Sequence, residues 1–252
     1  MKKRYAALVL ATVLLLSGCG GSRNMASDGL EPTQTPSDVG KSSMDSVSCK
    51  IGEPFIQTGV FGLGNENKCT VRFSVPVTNN GTADLFLRSA SFDFLDAQGN
   101  AVGMAEHVRC SPDVLAPGET GWYCELGMAD VLPGEVAAIV PHIDPQRSPY
   151  LPIRLSVTDL TYNEENMPEH GTVLNDSTYS LPNTIFCTAL FFDAKGNVFY
   201  RIEGVTARLE PGESKQVFFG GGMLTDDLRP YYDHCEIIAY PDASSNAIRA
   251  DG

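Results

Sequence analysis

The 252-residue chain carries 18 Lys and Arg against 31 Asp and Glu, a formal charge of −13, with 42% hydrophobic and 19% charged residues. That apolar share supports a packed core and excludes disorder throughout, and the length predicts one to two domains. An acid excess of this size excludes nucleic acid and anionic lipid headgroups as partners, because both carry the same sign.

Met1-Lys2-Lys3-Arg4 is a basic start, and Ala6 to Leu16 is an apolar run too short to span a bilayer. Leu16-Ser17-Gly18-Cys19 follows at once and resembles a lipobox, the processing signal of bacterial lipoproteins. The resemblance implies a signal peptide over residues 1–18 and a diacylglyceryl group on Cys19. It also implies a lipid-anchored protein on the extracytoplasmic face of the cell membrane, each buried CH₂ contributing about 0.8 kcal/mol. A transmembrane helix and a plain secretory signal with an incidental cysteine are the rival readings; charge, length and the four-residue box agree on the lipoprotein signal. Cleavage removes Lys2, Lys3 and Arg4 and no acid, moving the charge from −13 to −16.

Residues 19–48 contain few large apolar side chains and no periodicity, so they predict a disordered tether. Six cysteines remain beyond Cys19: Cys49, Cys69, Cys110, Cys124, Cys187 and Cys235. An even count in an exported chain predicts disulfides, and six thiols allow fifteen connectivities. Cys110 and Cys124 lie symmetrically about Pro117-Gly118, so a hairpin turning there predicts a bridge between them; Cys49 with Cys69 and Cys187 with Cys235 are the other candidate pairs. No CxxC pair and no histidine at ligand spacing points to a metal, and no cofactor is expected.

From Cys49 onward short strands alternate with turns. Thr70 to Val77 places Val71, Phe73, Val75 and Val77 on one face, the period-two pattern of a half-buried strand, with Pro76 marking an edge or bulge. Ala90, Phe92 and Phe94 share a face in the next strand, which runs into Asp96-Ala-Gln-Gly99, a type I turn. Leu115-Ala-Pro-Gly-Glu119 predicts a type II turn, Trp122-Tyr-Cys124 opens a strand with Trp122 inward, and a last strand falls within Glu135 to Ile143. Prolines 141, 145, 149 and 152 then mark a junction.

The landmarks then recur. Val77-Thr-Asn-Asn returns as Val173-Leu-Asn-Asp at an offset of 96, Asp96 to Asn100 as Asp193 to Asn197 at 97, and Leu115-Ala-Pro-Gly-Glu as Leu209-Glu-Pro-Gly-Glu at 94. Three landmarks in one order predict a duplicated all-β unit: two tandem immunoglobulin-like β-sandwich domains over 49–147 and 148–243, with a tail over 244–252. The pattern resembles the FxLYD family, an immunoglobulin-like module of bacterial lipoproteins, in Phe92-Asp-Phe-Leu-Asp96 and Ala189-Leu-Phe-Phe-Asp193 with their flanking Asn and Pro-Gly-Glu turns. The resemblance implies a sandwich at the envelope surface and brings no catalytic residues.

The residues carry little chemistry. His107, His142, His170 and His234 are scattered, and no nucleophile elbow is present. Glu164, Glu165, Glu169, Asp226 and Asp227 cluster without matching a calcium loop and read as solvated charges. Phe218-Phe-Gly-Gly-Gly-Met223 reads as a bulge or loop, with Tyr231-Tyr232 as packing or a contact surface. The expected function is a non-enzymatic envelope lipoprotein, a binding, adhesion or assembly module for an envelope or extracellular protein or glycan. An extracytoplasmic hydrolase or its accessory module, and a small-solute or metal-binding lipoprotein, are the alternatives.

Overall fold

The computed structural model describes residues 46–59, 68–220 and 224–243. The expected signal peptide, Cys19, most of the expected tether, the last two glycines of the triplet with Met223, and the expected tail lie outside them. The described chain is all-β, and a three-residue 3₁₀ turn at Arg229–Tyr231 is its only helical element.

Eleven strands precede the proline-rich junction or lie in it. They are β1 (Cys49–Ile51), β2 (Phe55–Gly59), β3 (Cys69–Asn79), β4 (Leu85–Leu87), β5 (Ala90–Leu95), β6 (Ala101–Val108), β7 (Cys110–Ser111), β8 (Val114–Leu115), β9 (Thr120–Ala129), β10 (Ala138–His142) and β11 (Pro145–Arg147). Six follow: β12 (Ser156–Tyr162), β13 (Pro168–Leu174), β14 (Leu181–Phe192), β15 (Val198–Leu209), β16 (Ser214–Phe218) and β17 (His234–Pro241).

In the N-terminal half, β3 pairs with β9 on one side and with β1 and β2 on the other, and this layer faces β6-β5-β10. The predicted alternation holds, with Val71, Phe73, Val75 and Val77 fully buried. Phe73 meets Phe92 at 4.9 Å and Phe94 at 5.5 Å between ring centroids, tying one layer to the other. Pro76 sits in a central strand rather than at an edge. Its missing N–H costs little because it falls where the partner changes from β2, ending its ladder at Ser74, to β1, starting at Val77. The C-terminal half repeats the plan, β12-β13-β16 over β15-β14-β17, around Met167, Val173, Ile185, Cys187, Phe191 and Val217.

The repeat extends to single hydrogen bonds. The Asp96 carboxylate accepts from the amides of Gln98 and Asn100 and from Asn100 Nδ2; Asp193 accepts from Lys195, Asn197 and Asn197 Nδ2 in the same way. Buried Asn79 donates to the carbonyls of Ala83 and Leu115, both at 2.9 Å, and buried Asn175 to those of Tyr179 and Leu209 at 2.8 and 3.0 Å. Each asparagine thus fastens its own turn to the strand end before the Pro-Gly turn. In those turns Gly118 and Gly212 hold φ of +84° and +78°, as a type II turn requires.

The copies differ at one edge. In the first, β6 pairs with β9 through Gly103↔Ala129 and Met104↔Met128, joining the two layers into one sheet. A Cβ on Gly103 would collide with the Met128 carbonyl, so only glycine permits this approach. In the second copy a single bridge, Gly204↔Phe219, stands there, and the layers stay separate.

Each half has its own apolar core, yet Ser43–Gly252 forms one compact unit. The outer faces of β3 and β9 pack on those of β14 and β15 through Cys124, Leu190, Phe192 and Val198. The two sandwiches are therefore fused face to face.

Asn79→Ala removes the donor to two buried carbonyls and Asn175→Ala the donor to one buried and one part-buried carbonyl, at about 1–3 kcal/mol per buried group. Each variant should lose about 2–5 kcal/mol of unfolding free energy, read as a lower urea midpoint with unchanged slope. A loss below about 0.5 kcal/mol in either would remove this motif from the determinants of the fold.

Candidate functional site

Because β3 alternates, its even-numbered side chains leave their own core; Thr70, Arg72 and Ser74 are buried, and Arg72 and Ser74 meet the other half at Tyr200 and Val198. Polar groups there need partners. The Ser74 hydroxyl donates to the Val198 carbonyl, and Arg72 Nη1 donates to Gln57 Oε1 at 3.0 Å and lies 3.5 Å from Asp227. Arg201 Nη1 reaches across from β15, donating to Ser111 Oγ at 2.9 Å and the Arg109 carbonyl at 3.2 Å, with Glu203 and Glu125 at 3.7 and 3.9 Å. Trp122 stands edge-on to Phe192 at 5.9 Å. A hollow of about 150 Å³ lies along this seam beside Arg72, Cys124, Tyr200 and Arg201.

A separate cleft of about 530 Å³ is walled by both halves. The N-terminal half supplies the end of β4, with Phe86, Arg88 and Ser89, together with Arg109 and Asp113; Tyr150 comes from the proline-rich junction and Asp242 follows β17. Phe86 and Tyr150 meet edge to face at 5.3 Å and form an aromatic wall. The Arg109 guanidinium lies 4.1 Å above the Phe186 ring and 3.7 Å from Asp242, which pins its position while 40% of the side chain stays exposed.

Asp113 is 7% exposed. Burial pushes its carboxyl up to about 6, against the pull of nearby Arg109, and the Asp242 carboxylate adds to the rise. The arrangement is a junction cleft with an aromatic wall, two arginines and a carboxyl titrating near neutrality, the composition of a small-ligand seat.

No family model matches the chain, and no curated protein matches it.

The candidate cysteines are not brought together; all six described ones are free thiols. Cys110 lies opposite Tyr123 and not opposite Cys124. That one-residue offset puts Cys110 in the N-terminal core and turns Cys124 to the seam on the other face of the sheet, so the expected bridge does not form. Cys49 lies opposite Asn79, ten residues along β3 from Cys69, roughly 33 Å at strand rise. Cys235 lies opposite Phe191, four residues along β14 from Cys187, roughly 13 Å. Burial raises the thiols of Cys124 to about 11 and of Cys187 and Cys235 to about 12, and raises that of Cys110 as well, which makes them packing groups and not nucleophiles.

Other expectations are redistributed too. Tyr123, not Trp122, points into the core, and its hydroxyl donates to the Arg88 carbonyl at 2.7 Å. The histidines occupy four settings: His142 on Asp93 at 2.8 Å, His170 with Thr161, His234 with Asp233 and stacked on Phe192, and His107 exposed in β6. Asp227 is not simply a solvated charge, since it ties Arg72 and Gln57 into the seam, while Glu165 and Asp226 pair with Arg229. Of the cleft residues only Cys110 was marked by sequence, and as a disulfide partner. The only signal was Arg109 and Asp113 flanking Cys110 and Pro112.

Thiol titration of the unfolded, unreduced chain lacking residues 1–19 should count six reactive groups, and reductant should leave its unfolding midpoint unchanged. Four or fewer would mean that a bridge forms.

A carboxyl raised from 3.8 to about 6 in the folded state stabilises the fold fully below pH 4, and this contribution is lost as pH rises through 6. At 1.36 kcal/mol per pH unit the loss is about 3 kcal/mol. Asp113→Asn should therefore be more stable than the parent at pH 8 by up to about that much and match it near pH 4. Equal pH profiles by chemical denaturation would refute the assignment.

Proposed function

We propose that the protein is a non-enzymatic cell-envelope lipoprotein, held at the extracytoplasmic face by diacylglyceryl Cys19, whose fused sandwiches act as one rigid binding or assembly module. The lipobox resemblance supports the anchor. The observation that carries the binding reading is the cleft of about 530 Å³ walled by both halves, with Arg109 held in place by Phe186 and Asp242. Rigid sites on strand ends lose little entropy when a ligand binds, which favours such a cleft over an isolated loop. The FxLYD resemblance supports the envelope setting through the duplicated Asn and Pro-Gly-Glu landmarks.

Cys19→Ala should move the protein from the membrane to the soluble fraction, and retention of that variant at the membrane would refute the anchor. A photoreactive residue placed at Ser89, at the cleft wall, should yield a specific adduct in intact cells that disappears when Arg88 is replaced by Glu. The absence of any adduct at Ser89, with adducts recovered from control positions on other faces, would overturn the cleft as the binding seat.

A further inference from the structure

We propose that the junction cleft binds a small organic monocarboxylate with a flat apolar body, its carboxylate on Arg88 and Arg109 and its body against the Phe86–Tyr150 wall. The inference rests on the cleft being the binding seat and names the chemistry that seat selects.

The first argument is charge. The whole chain is strongly acidic, yet the cleft gathers two arginines and two aspartates. Asp242 lies 3.7 Å from Arg109 and offsets its charge. Asp113 is buried, and its carboxyl is drawn toward the neutral form. Arg88 is left exposed at the wall, so the cleft carries close to one net positive charge whenever Asp113 holds its proton. A monoanion complements that balance. A phosphate dianion would face Asp113 and Asp242 with one charge uncompensated, and an ammonium group would meet two guanidinium ions.

The second argument is shape. A guanidinium offers parallel N–H donors that match a carboxylate, and the Phe186 ring beneath Arg109 fixes that fork before a ligand arrives. The edge-to-face pair of Phe86 and Tyr150 gives an apolar surface suited to a ring, and the volume lies within the range of small-molecule sites, roughly 300–1,000 Å³.

The third argument is protonation. A neutral Asp113 carries an O–H that donates to a bound carboxylate; an ionised one repels it. Facing Asp113 are Arg109 and Cys110 before it, Tyr240, Asp242 and the Ala243 amide at the end of β17, and Arg154, Tyr150 and Arg88 lining the neighbouring walls. Arg154 is committed to Glu119 at 2.7 Å, and burial raises the Asp113 carboxyl to about 6. Carboxylate binding should therefore strengthen as pH falls through about 6.

The test is calorimetric titration of the full ectodomain with phenylacetate and with phenethylamine at pH 5.5 and 7.5. Phenylacetate should bind, more tightly at pH 5.5. Arg88→Ala, at an exposed position that leaves the fold intact, should weaken it by about tenfold or more, the equivalent of one charged contact. Asp113→Asn should bind at pH 7.5 as tightly as the parent does at pH 5.5. Preference for phenethylamine, with affinity rising with pH, would overturn the carboxylate assignment while keeping the cleft as a seat. Failure of both probes, or phenylacetate binding insensitive to Arg88→Ala, would overturn it as well, and the Ser89 adduct then reports separately whether the cleft binds anything.

Discussion

Burial of β3 on both faces is the constraint from which the rest of the architecture follows. Its odd-numbered side chains close the N-terminal core in the ordinary way. Its even-numbered face carries Arg72 and Ser74, which a solitary sandwich would leave in water, and here they meet β15 at Tyr200 and Val198. Apolar contact alone does not hold that face, because buried polar groups must be matched or they oppose association. Ser74 finds Val198, Arg72 finds Gln57 and Asp227, and Arg201 finds Ser111 and the Arg109 carbonyl. The seam is thus specific in register as well as stable, and it positions the cleft walls.

A duplicated unit stacked face to face in a heterologous manner would extend without limit if both copies kept the same faces. This chain blocks that at both ends. Leu190 of the buried face corresponds to Asp93 on the free face of the first copy, where it pairs with His142. Trp122 of the seam corresponds to Gln216 in the second copy. Turns and buried asparagines, which each copy needs for its own folding, stayed alike. The outward positions diverged, because there the two copies meet different surroundings.

The cleft follows from the same asymmetry. It forms where the end of β4 and the β6–β8 segment of one copy, the proline-rich junction and the end of β17 come together, four places far apart in the chain. The prolines of the junction disfavour helix and central strand, and Tyr150 among them is placed against Phe86. Arg109 and Asp113 take their character from residues more than seventy positions away, Phe186 and Asp242.

Local rules were sufficient wherever one residue's neighbours in sequence are also its neighbours in space. The Asp-Gly turns, the Pro-Gly turns, the alternation of Val71 to Val77, the all-β class and the internal repeat could all be read from the chain, since each depends on backbone sterics and period-two burial over a few residues. The disulfide pairing failed for the same reason: spacing about Pro117 places Cys110 and Cys124 on adjacent strands, but a single step of register, set by the packing of Tyr123, decides which face each thiol takes. Whether the two copies stand apart or fuse, where Arg72 and Asp227 go, and the raised carboxyl of Asp113 were decided only by tertiary structure. They depend on which outer faces meet, and that is set by long-range contact and desolvation, which no local pattern encodes.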